Sequence, residues 1–378
     1  VPSGSSPTDV TVQVSDATQE TVGYANVASD GTYSVRGLPS GSLRVHFTAM
    51  SPSTLQSEWW DDKPDFASAT PVVLTAGQAR NGVDATLAPG ASISGRITAP
   101  AGYAVAGGSV EVHTSEFGPS VWGNIAADGS FSVTGLPAGT YRVKFQPPWN
   151  SALLPEWYDD ASRYADASPI TLTTGQTRAG VNAAFALGGT ITGTVTVPAG
   201  TPRGSNGTTL RVSASLDSGG SGSYFSAEVA PDGSYALRGL PAGQYRVSFQ
   251  SPDAWGLIDE YYDDATGYYD ATLVPVASGQ TVSGINAALA AGGSISGRVT
   301  LPSGVKVDSM QYRVTAYGPQ MSYVDSIGIN SDGTYALRGL PAGTYRLEFS
   351  TPSDSVVLPE WYTDKSQFWS ADSLTLSA

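Results

Sequence analysis

The stretch that decides the fold is DGTYALRGLPAGTYRLEF, residues 332–349. It opens on Asp332-Gly333, alternates apolar and polar residues, breaks near Gly339-Leu340-Pro341, and alternates again. The pattern is written three more times: DGTYSVRGLPSGSLRVHF from Asp30, DGSFSVTGLPAGTYRVKF from Asp128 and DGSYALRGLPAGQYRVSF from Asp232. In the second copy Phe131 and Val133 alternate with Ser132 and Thr134, and Tyr141, Val143 and Phe145 alternate with Thr140, Arg142 and Lys144. A period of two with one apolar face predicts half-buried antiparallel strands. It buries Tyr141, Val143, Phe145, Tyr245, Val247 and Phe249 and sends Arg142, Lys144 and Arg246 to solvent. Asp-Gly suits a tight turn, because glycine tolerates positive φ. Pro137 has no N–H to give a central ladder, so residues 135–139 read as the connection.

The four Gly-Leu-Pro tripeptides centre on Leu38, Leu136, Leu240 and Leu340. Their period of about a hundred residues is too long for a solenoid, whose repeats run roughly 20–50 residues. It fits an array of small domains, as does the length of 378 residues. Further landmarks keep this register: EWWDD (58–62), PEWYDD (155–160), DEYYDD (259–264) and PEWYTD (359–364) follow each strand pair. Segments such as TTGQTRAGVNAAFALGGTITGTVT (173–196) then join one repeat to the next, with only Gly188-Gly189 between strand patterns. So short a junction restricts bending. The one helical signal is DDASRYADA (159–167), read as two turns capped by an aspartate. About seven strands per hundred residues with turn chemistry between them predict β-sandwiches. The expected boundaries are 1–88, 89–186, 187–290 and 291–378.

The motifs ISGRVT near each repeat start, DGxYxxxGLPAGxYRVxF in the middle and GQTxxGINAxL late resemble the carboxypeptidase-regulatory-like repeat. The resemblance implies a transthyretin-like (prealbumin-like) sandwich, close to the Cna protein B-type domains of Gram-positive surface proteins. It covers nearly the whole chain and implies four tandem all-β sandwiches used as stalks, linkers or ancillary modules rather than a given activity. Cna B-type domains often carry a Lys–Asn isopeptide bond. Here Asn182 and Asn286 are on the late strand but repeat one has Asp84, and the first strands offer Arg96, Thr194 and Arg298 instead of lysine. No such bond is expected.

Composition narrows the partners. The net charge of −14 disfavours phosphate backbones and anionic membrane surfaces, and no apolar run reaches the length of a membrane span. Nucleic acid and membrane insertion are therefore not expected. The chain has no cysteine, which removes disulfides and thiolate metal sites. No signal peptide is visible, so the chain reads as cytosolic or as a mature secreted piece. The Ser, Thr, Gly and Asp richness favours a secreted or wall-associated bacterial protein.

Chemistry is sparse. His46 and His113 are the two histidines, and neither neighbours a nucleophile motif, so neither a hydrolytic triad nor a histidine metal site is expected. No cofactor is implied, and the expectation is a non-enzyme. The strongest functional candidate is the aromatic-acid cluster: Trp157, Tyr158, Asp159 and Asp160 with Tyr164 and Asp166, repeated in register with Tyr261 and Trp361. Aromatic faces stack on sugar C–H surfaces and carboxylates accept sugar hydroxyls. The alternative reading is structural: one aromatic plugs the open end of the sandwich and the acids cap the next turn. Calcium would want six or more oxygens. Lys63 and Lys365 beside two of the acid pairs argue against it. Trp122, Trp149 and Trp255 fall outside the shared pattern, where the fold does not require them, and so are candidates for recognition. The candidate glycan-stacking set is Trp149, Trp157, Asp159, Asp160, Trp255, Tyr261 and Trp361.

Two functions follow. One is an extracellular structural or adhesive array, a stalk or filament component. The other is the multivalent carbohydrate-binding part of a secreted polysaccharide-degrading enzyme such as an amylase, gaining avidity from repeated weak sites. The ends matter too. Repeats two to four open on a strand at Gly90–Thr98, Gly188–Thr196 and Gly292–Thr300, of which repeat one has no copy, and repeat four lacks the GQTxxGINAAL strand. Either the segment belongs to a longer array, or neighbouring copies complete the end sandwiches by strand addition.

Overall fold

The computed structural model describes residues 5–50, 53–201, 209–217, 223–302, 311–352 and 355–377. The chain is all-β, a succession of β-sandwiches with only short 3-10 turns besides strands among the described residues. It divides into two compact units, Val1–Leu187 and Gly188–Ala378, and each unit contains two separate apolar cores.

The second sandwich shows the plan. Its outer sheet centres on Gly139–Gln146, which pairs antiparallel with Ser109–His113 and with the short strands Glu156–Trp157 and Ile170–Leu172; Ser120–Asn124 closes the edge. The other sheet centres on the opening strand Ala91–Thr98, antiparallel to Ser130–Leu136. On its far side run Thr177–Arg178 and Ala183–Ala184, both parallel to it, so this sheet is mixed rather than purely antiparallel. Alternation fixes which faces meet. Ile93, Ile97, Phe131, Val133, Tyr141, Val143 and Phe145 are all buried between the sheets, and Tyr245, Val247 and Phe249 repeat this in the third sandwich. At roughly 25 cal/mol per Å² of apolar area removed from water, this burial is the main drive for each sandwich.

Three expectations are corrected. The break at Gly-Leu-Pro is shorter than residues 135–139: the strand runs through Leu136 and the next begins at Gly139, leaving Pro137-Ala138 as the turn. Pro137 needs no ladder N–H there, and the Tyr141 hydroxyl donates to its carbonyl at 2.7 Å. The helix expected over 159–167 is a single 3-10 turn, Tyr164–Asp166, preceded by Arg163 with no side-chain cap. The arginines do not simply face solvent. The Arg246 side chain is only 12% exposed, paired with Asp217 at 2.5 Å and lying 4.7 Å over the Tyr268 ring.

Inside each unit the two sandwiches are joined by the same backbone device. In the first, Gln56 N–H donates to Ala88 O and Gly90 N–H to Thr54 O, while Thr134 Oγ1 of the next sandwich donates to Ser53 O at 2.8 Å. In the second, Ile258 N–H donates to Ala290 O and Gly292 N–H to Gly256 O. Glycines cross at the seam. A Cβ added to Gly90 would stand 2.4 Å from Gly135 Cα, and one on Gly292 2.4 Å from the Gly339 carbonyl carbon. Gly135 (φ +74°) and Gly339 (φ +70°) in turn face the carbonyl oxygens of Leu55 and Leu257.

The ends of the chain differ from this plan. In the first sandwich residues 33–38, the counterpart of Ser130–Leu136, form no strand and have no ladder partner among the described residues. In the fourth, Gly293–Arg298 pairs with Thr334–Leu340 alone among the described residues.

Candidate functional site: the aromatic-acid turn

Most members of the repeated cluster are held by the fold itself, through backbone pairing, a side-chain bond or ring packing. Glu156 and Trp157 add a two-residue strand to the outer sheet, and Tyr158 N–H donates to Val143 O at 2.8 Å. The chain then folds back, with Trp157 and Ala161 exchanging backbone hydrogen bonds. The two acids between them are left-handed: Asp159 has φ 68° and Asp160 φ 57°, as have Asp61 and Asp62, Asp263 and Asp264, and Thr363 and Asp364. Aspartate tolerates this region better than most residues, which explains paired acids at this place without a ligand. The first acid also fastens the loop nine residues on. Asp61 accepts from Thr70, Asp159 from Ser168 and Asp263 from Thr272, at 2.7, 2.6 and 2.8 Å. In the fourth repeat the polarity is reversed: Thr363 donates to Asp372 at 2.7 Å.

In the second and third repeats the glutamate before the aromatic ties the hairpin to the late strand. Glu156 accepts from Ala184 N–H at 3.1 Å and Glu260 from Ala288 N–H at 3.3 Å. Partial burial, the leading cause, raises both carboxyl pKa values above the ordinary range.

The aromatics form a plate on the outer face of the sheet. Trp157 meets the Tyr164 ring edge-on at 5.3 Å and lies 5.2 Å from His113. Trp361 meets Phe368 and Tyr317 in the same way. Arg44, Arg142, Arg246 and Arg346 each cover the ring that follows, Phe66, Tyr164, Tyr268 and Phe368, at 4.5–4.9 Å. A cation over a ring face in a partly dry setting is worth about 0.5–2 kcal/mol. His46 belongs to the same plate, stacked on Trp59 at 4.5 Å, with its pKa lowered by burial.

This placement shows how far each residue of the stacking set is exposed. Trp157 and Trp361 are 8% and 6% exposed, so their faces are taken by protein rather than offered to a sugar. Tyr261 is half-buried against Tyr268. Asp159 is engaged by Ser168, and Asp160 shares its left-handed turn. Trp255, in the 3-10 turn Asp253–Trp255, packs partly onto the third core. Of the aromatics in the set, Trp149 alone stands clear, at 95% exposed. Trp122, on the edge strand Ser120–Asn124, is 65% exposed. The sequence reading missed Tyr269 and Trp369, both strongly exposed. Their signal was there: GYYD and QFWS carry two aromatics where RYAD and DFAS carry one. Among the described residues no cluster of acids and histidines has the makings of a metal site, and no helix is long and apolar enough to cross a membrane.

No family model and no curated protein matches the chain. Similar solved structures include the Bacillus anthracis TIE protein, at 15% identity over 97% of this chain and 64% of that one, with a TM-score of 0.22. This chain thus spans less than two thirds of that relative. A Streptococcal ancillary pilin matches at 14% identity over 72% of this chain and 94% of its own, TM-score 0.21. The minor pilin GBS52 of Streptococcus agalactiae matches at 10% identity over 56% and 99%, TM-score 0.24. Superpositions this loose carry no argument about what the chain does.

Proposed function

We propose that the chain is a non-enzymatic structural array of the carboxypeptidase-regulatory-like kind, a stalk or adhesive spacer of four sandwiches (1–88, 89–186, 187–290, 291–378) that works outside the cell or in the wall of a bacterium. The observation that carries this reading is the seam written twice, once in each unit, with crossed glycines and backbone bonds. A module whose task is to hold a neighbour at a fixed angle needs such a seam. The aromatic-acid motif, the most repeated chemistry in the sequence, is consumed by turn, plate and staple. The net charge of −14 keeps such an array soluble.

The test uses the absence of cysteine in the chain. Spin labels at Glu20→Cys and Ser115→Cys report the distance between the first and second sandwiches. One narrow distribution is expected; a broad one would remove the mechanical reading.

A second reading, a carbohydrate-binding ancillary region of a secreted polysaccharide-degrading enzyme, is favoured by Trp149. A free indole is a large apolar face that a lone fold does not need. Affinity electrophoresis through starch and other polysaccharides tests it: retardation lost in Trp149→Ala supports this reading over the spacer.

A further inference from the structure

Inside the second unit, the third and fourth sandwiches enclose a cleft of about 1080 Å³ beside their seam. Asp253, Asp259 and Glu260 line it from the third sandwich, and Asp325 and Arg338 from the fourth. Asp259 departs from the repeated motif: at its place the other repeats have Ser57, Pro155 and Pro359. We propose that this seam is an acid-sensitive joint, loosened at neutral pH by repulsion of Asp253 and Asp259 against Asp325, and tightened when these carboxylates take up protons.

The two seams share a backbone design and differ in side chains. In the first unit Ala49 N–H donates to the Ser57 hydroxyl at 2.9 Å. In the second the equivalent Ser251 N–H donates to Asp259 Oδ1 at 2.7 Å, and the Ser251 hydroxyl adds a bond of 3.0 Å. The facing edge strand differs likewise. Asp325 pairs with Ala316 at the place where Val121 pairs with Val112 in the second sandwich. A serine and a valine therefore hold the positions that two aspartates hold in the second unit.

The charges lining the cleft do not balance. Among the described residues four carboxyls, those of Asp253, Asp259, Glu260 and Asp325, share it with the one guanidinium of Arg338. Tyr261, Tyr323 and Tyr345 supply the phenols of the lining. Arg313 lies near Asp325 but is committed to its own sandwich, donating to Ser326 Oγ at 2.9 Å and Ser326 O at 2.8 Å. Glu260 is held by Ala288 N–H. Burial is the leading cause that lifts Asp259 and Asp325 above the ordinary carboxylate range. Bonds from Ser251 and from Ser326 N–H oppose it, and like charges add to it: Asp253 and Asp325 act on Asp259, and Asp253 acts on Asp325.

The direction follows from linkage. A carboxyl raised in the closed state adds stability that is full at low pH and is lost as pH rises through its closed-state value. Opening the seam takes Asp325 away from Asp253 and Asp259 and returns buried carboxylate to water, so the charged forms favour the open arrangement. The backbone bonds from Ile258 to Ala290 and from Gly292 to Gly256 do not titrate, so the joint loosens without parting. Resting on the spacer reading, this makes one seam stiff at every pH and the other stiff only in acid.

Spin labels at the exposed Ser283→Cys and Ser373→Cys report the distance across this seam in the full chain. From neutral pH down to about pH 4, just above the unperturbed aspartate value, the distribution should narrow. The Glu20→Cys and Ser115→Cys pair should stay narrow throughout. Asp259→Asn keeps the oxygen that Ser251 needs; it and Asp325→Asn should each be narrower than the parent at neutral pH, and the double variant should not respond to acid. A width independent of pH, a response that survives in the double variant, or an equal response at the first seam would overturn the proposal. A first seam broad at every pH, beside a response here, would count against the spacer reading and for the joint.

Discussion

At the scale of residues, the turn acids are the most informative side chains. Asp159 with Ser168 and Thr363 with Asp372 are one hydrogen bond written in opposite polarity. Either order should therefore serve at either place. Asp159→Thr and Ser168→Asp are each expected to destabilise the second sandwich by about 1 kcal/mol, the net worth of one hydrogen bond. The double variant should recover most of the loss, and a double-mutant cycle by urea denaturation measures the coupling. The other repeated acids carry a pH signature. Asp128 is held below its ordinary pKa first by the Ser130 hydroxyl and then by the Ser130 N–H, and Asp232 is held the same way by Ser234. A carboxyl lowered in the folded state adds stability above its unfolded pKa, and that contribution is lost as pH falls through the folded value. Asp128→Asn should thus lower the melting temperature at pH 7 and converge with the parent as pH falls below the folded pKa of Asp128. A gap of constant size across that range would contradict the assignment. Glu156, raised by burial, acts with the opposite sign, adding stability at low pH that is lost as pH rises past its folded pKa.

At the scale of elements, alternation made the strands legible, because a two-residue period with one apolar face leaves one register that buries Tyr141, Val143 and Phe145. Parallel pairing was not legible. Thr177–Arg178 and Ala183–Ala184 are two residues long and touch the opening strand from far along the chain, so no local pattern announces their direction. Nor was the burial of the arginines, since the plate that covers Arg246 comes from Tyr268, over twenty residues on. The acid pair looked like ligands because composition alone does not reveal φ; only the left-handed backbone at Asp159 and Asp160 shows why both are acids. The Pro137 turn leads to a measurement. Tyr141→Phe removes the hydroxyl bond to Pro137 O while keeping the ring in the core. A loss of about 1 kcal/mol is expected, against roughly 3–5 kcal/mol for Phe145→Ala, which empties a fully buried site. Chemical denaturation of the two variants compares them directly, and equal losses would show that the hydroxyl, not the ring, holds this hairpin.

At the scale of the whole molecule, the four-fold writing of one motif conceals that its glycine has different work in different copies. Gly37, Gly135 and Gly339 share φ between +70° and +74°. All three therefore make the backbone cost of a side chain the same, about 1–2 kcal/mol for a left-handed non-glycine residue. Their surroundings differ. A Cβ on Gly37 meets nothing within 4 Å, whereas one on Gly135 meets Leu55 O at 2.8 Å and one on Gly339 meets Leu257 O at 2.3 Å. Gly37→Ala should then cost only the backbone term. Gly135→Ala should cost more, and the excess should appear as motion at the seam rather than as unfolding of a core, because the obstructing atom belongs to the preceding sandwich. With labels at Glu20→Cys and Ser115→Cys, the distance distribution should broaden in Gly135→Ala and stay narrow in Gly37→Ala. Gly339→Ala should leave that distribution untouched, since its seam lies in the other unit. Equal behaviour of Gly37→Ala and Gly135→Ala would mean that the glycine serves the local turn alone, and the seam would lose its claim to set the angle between sandwiches.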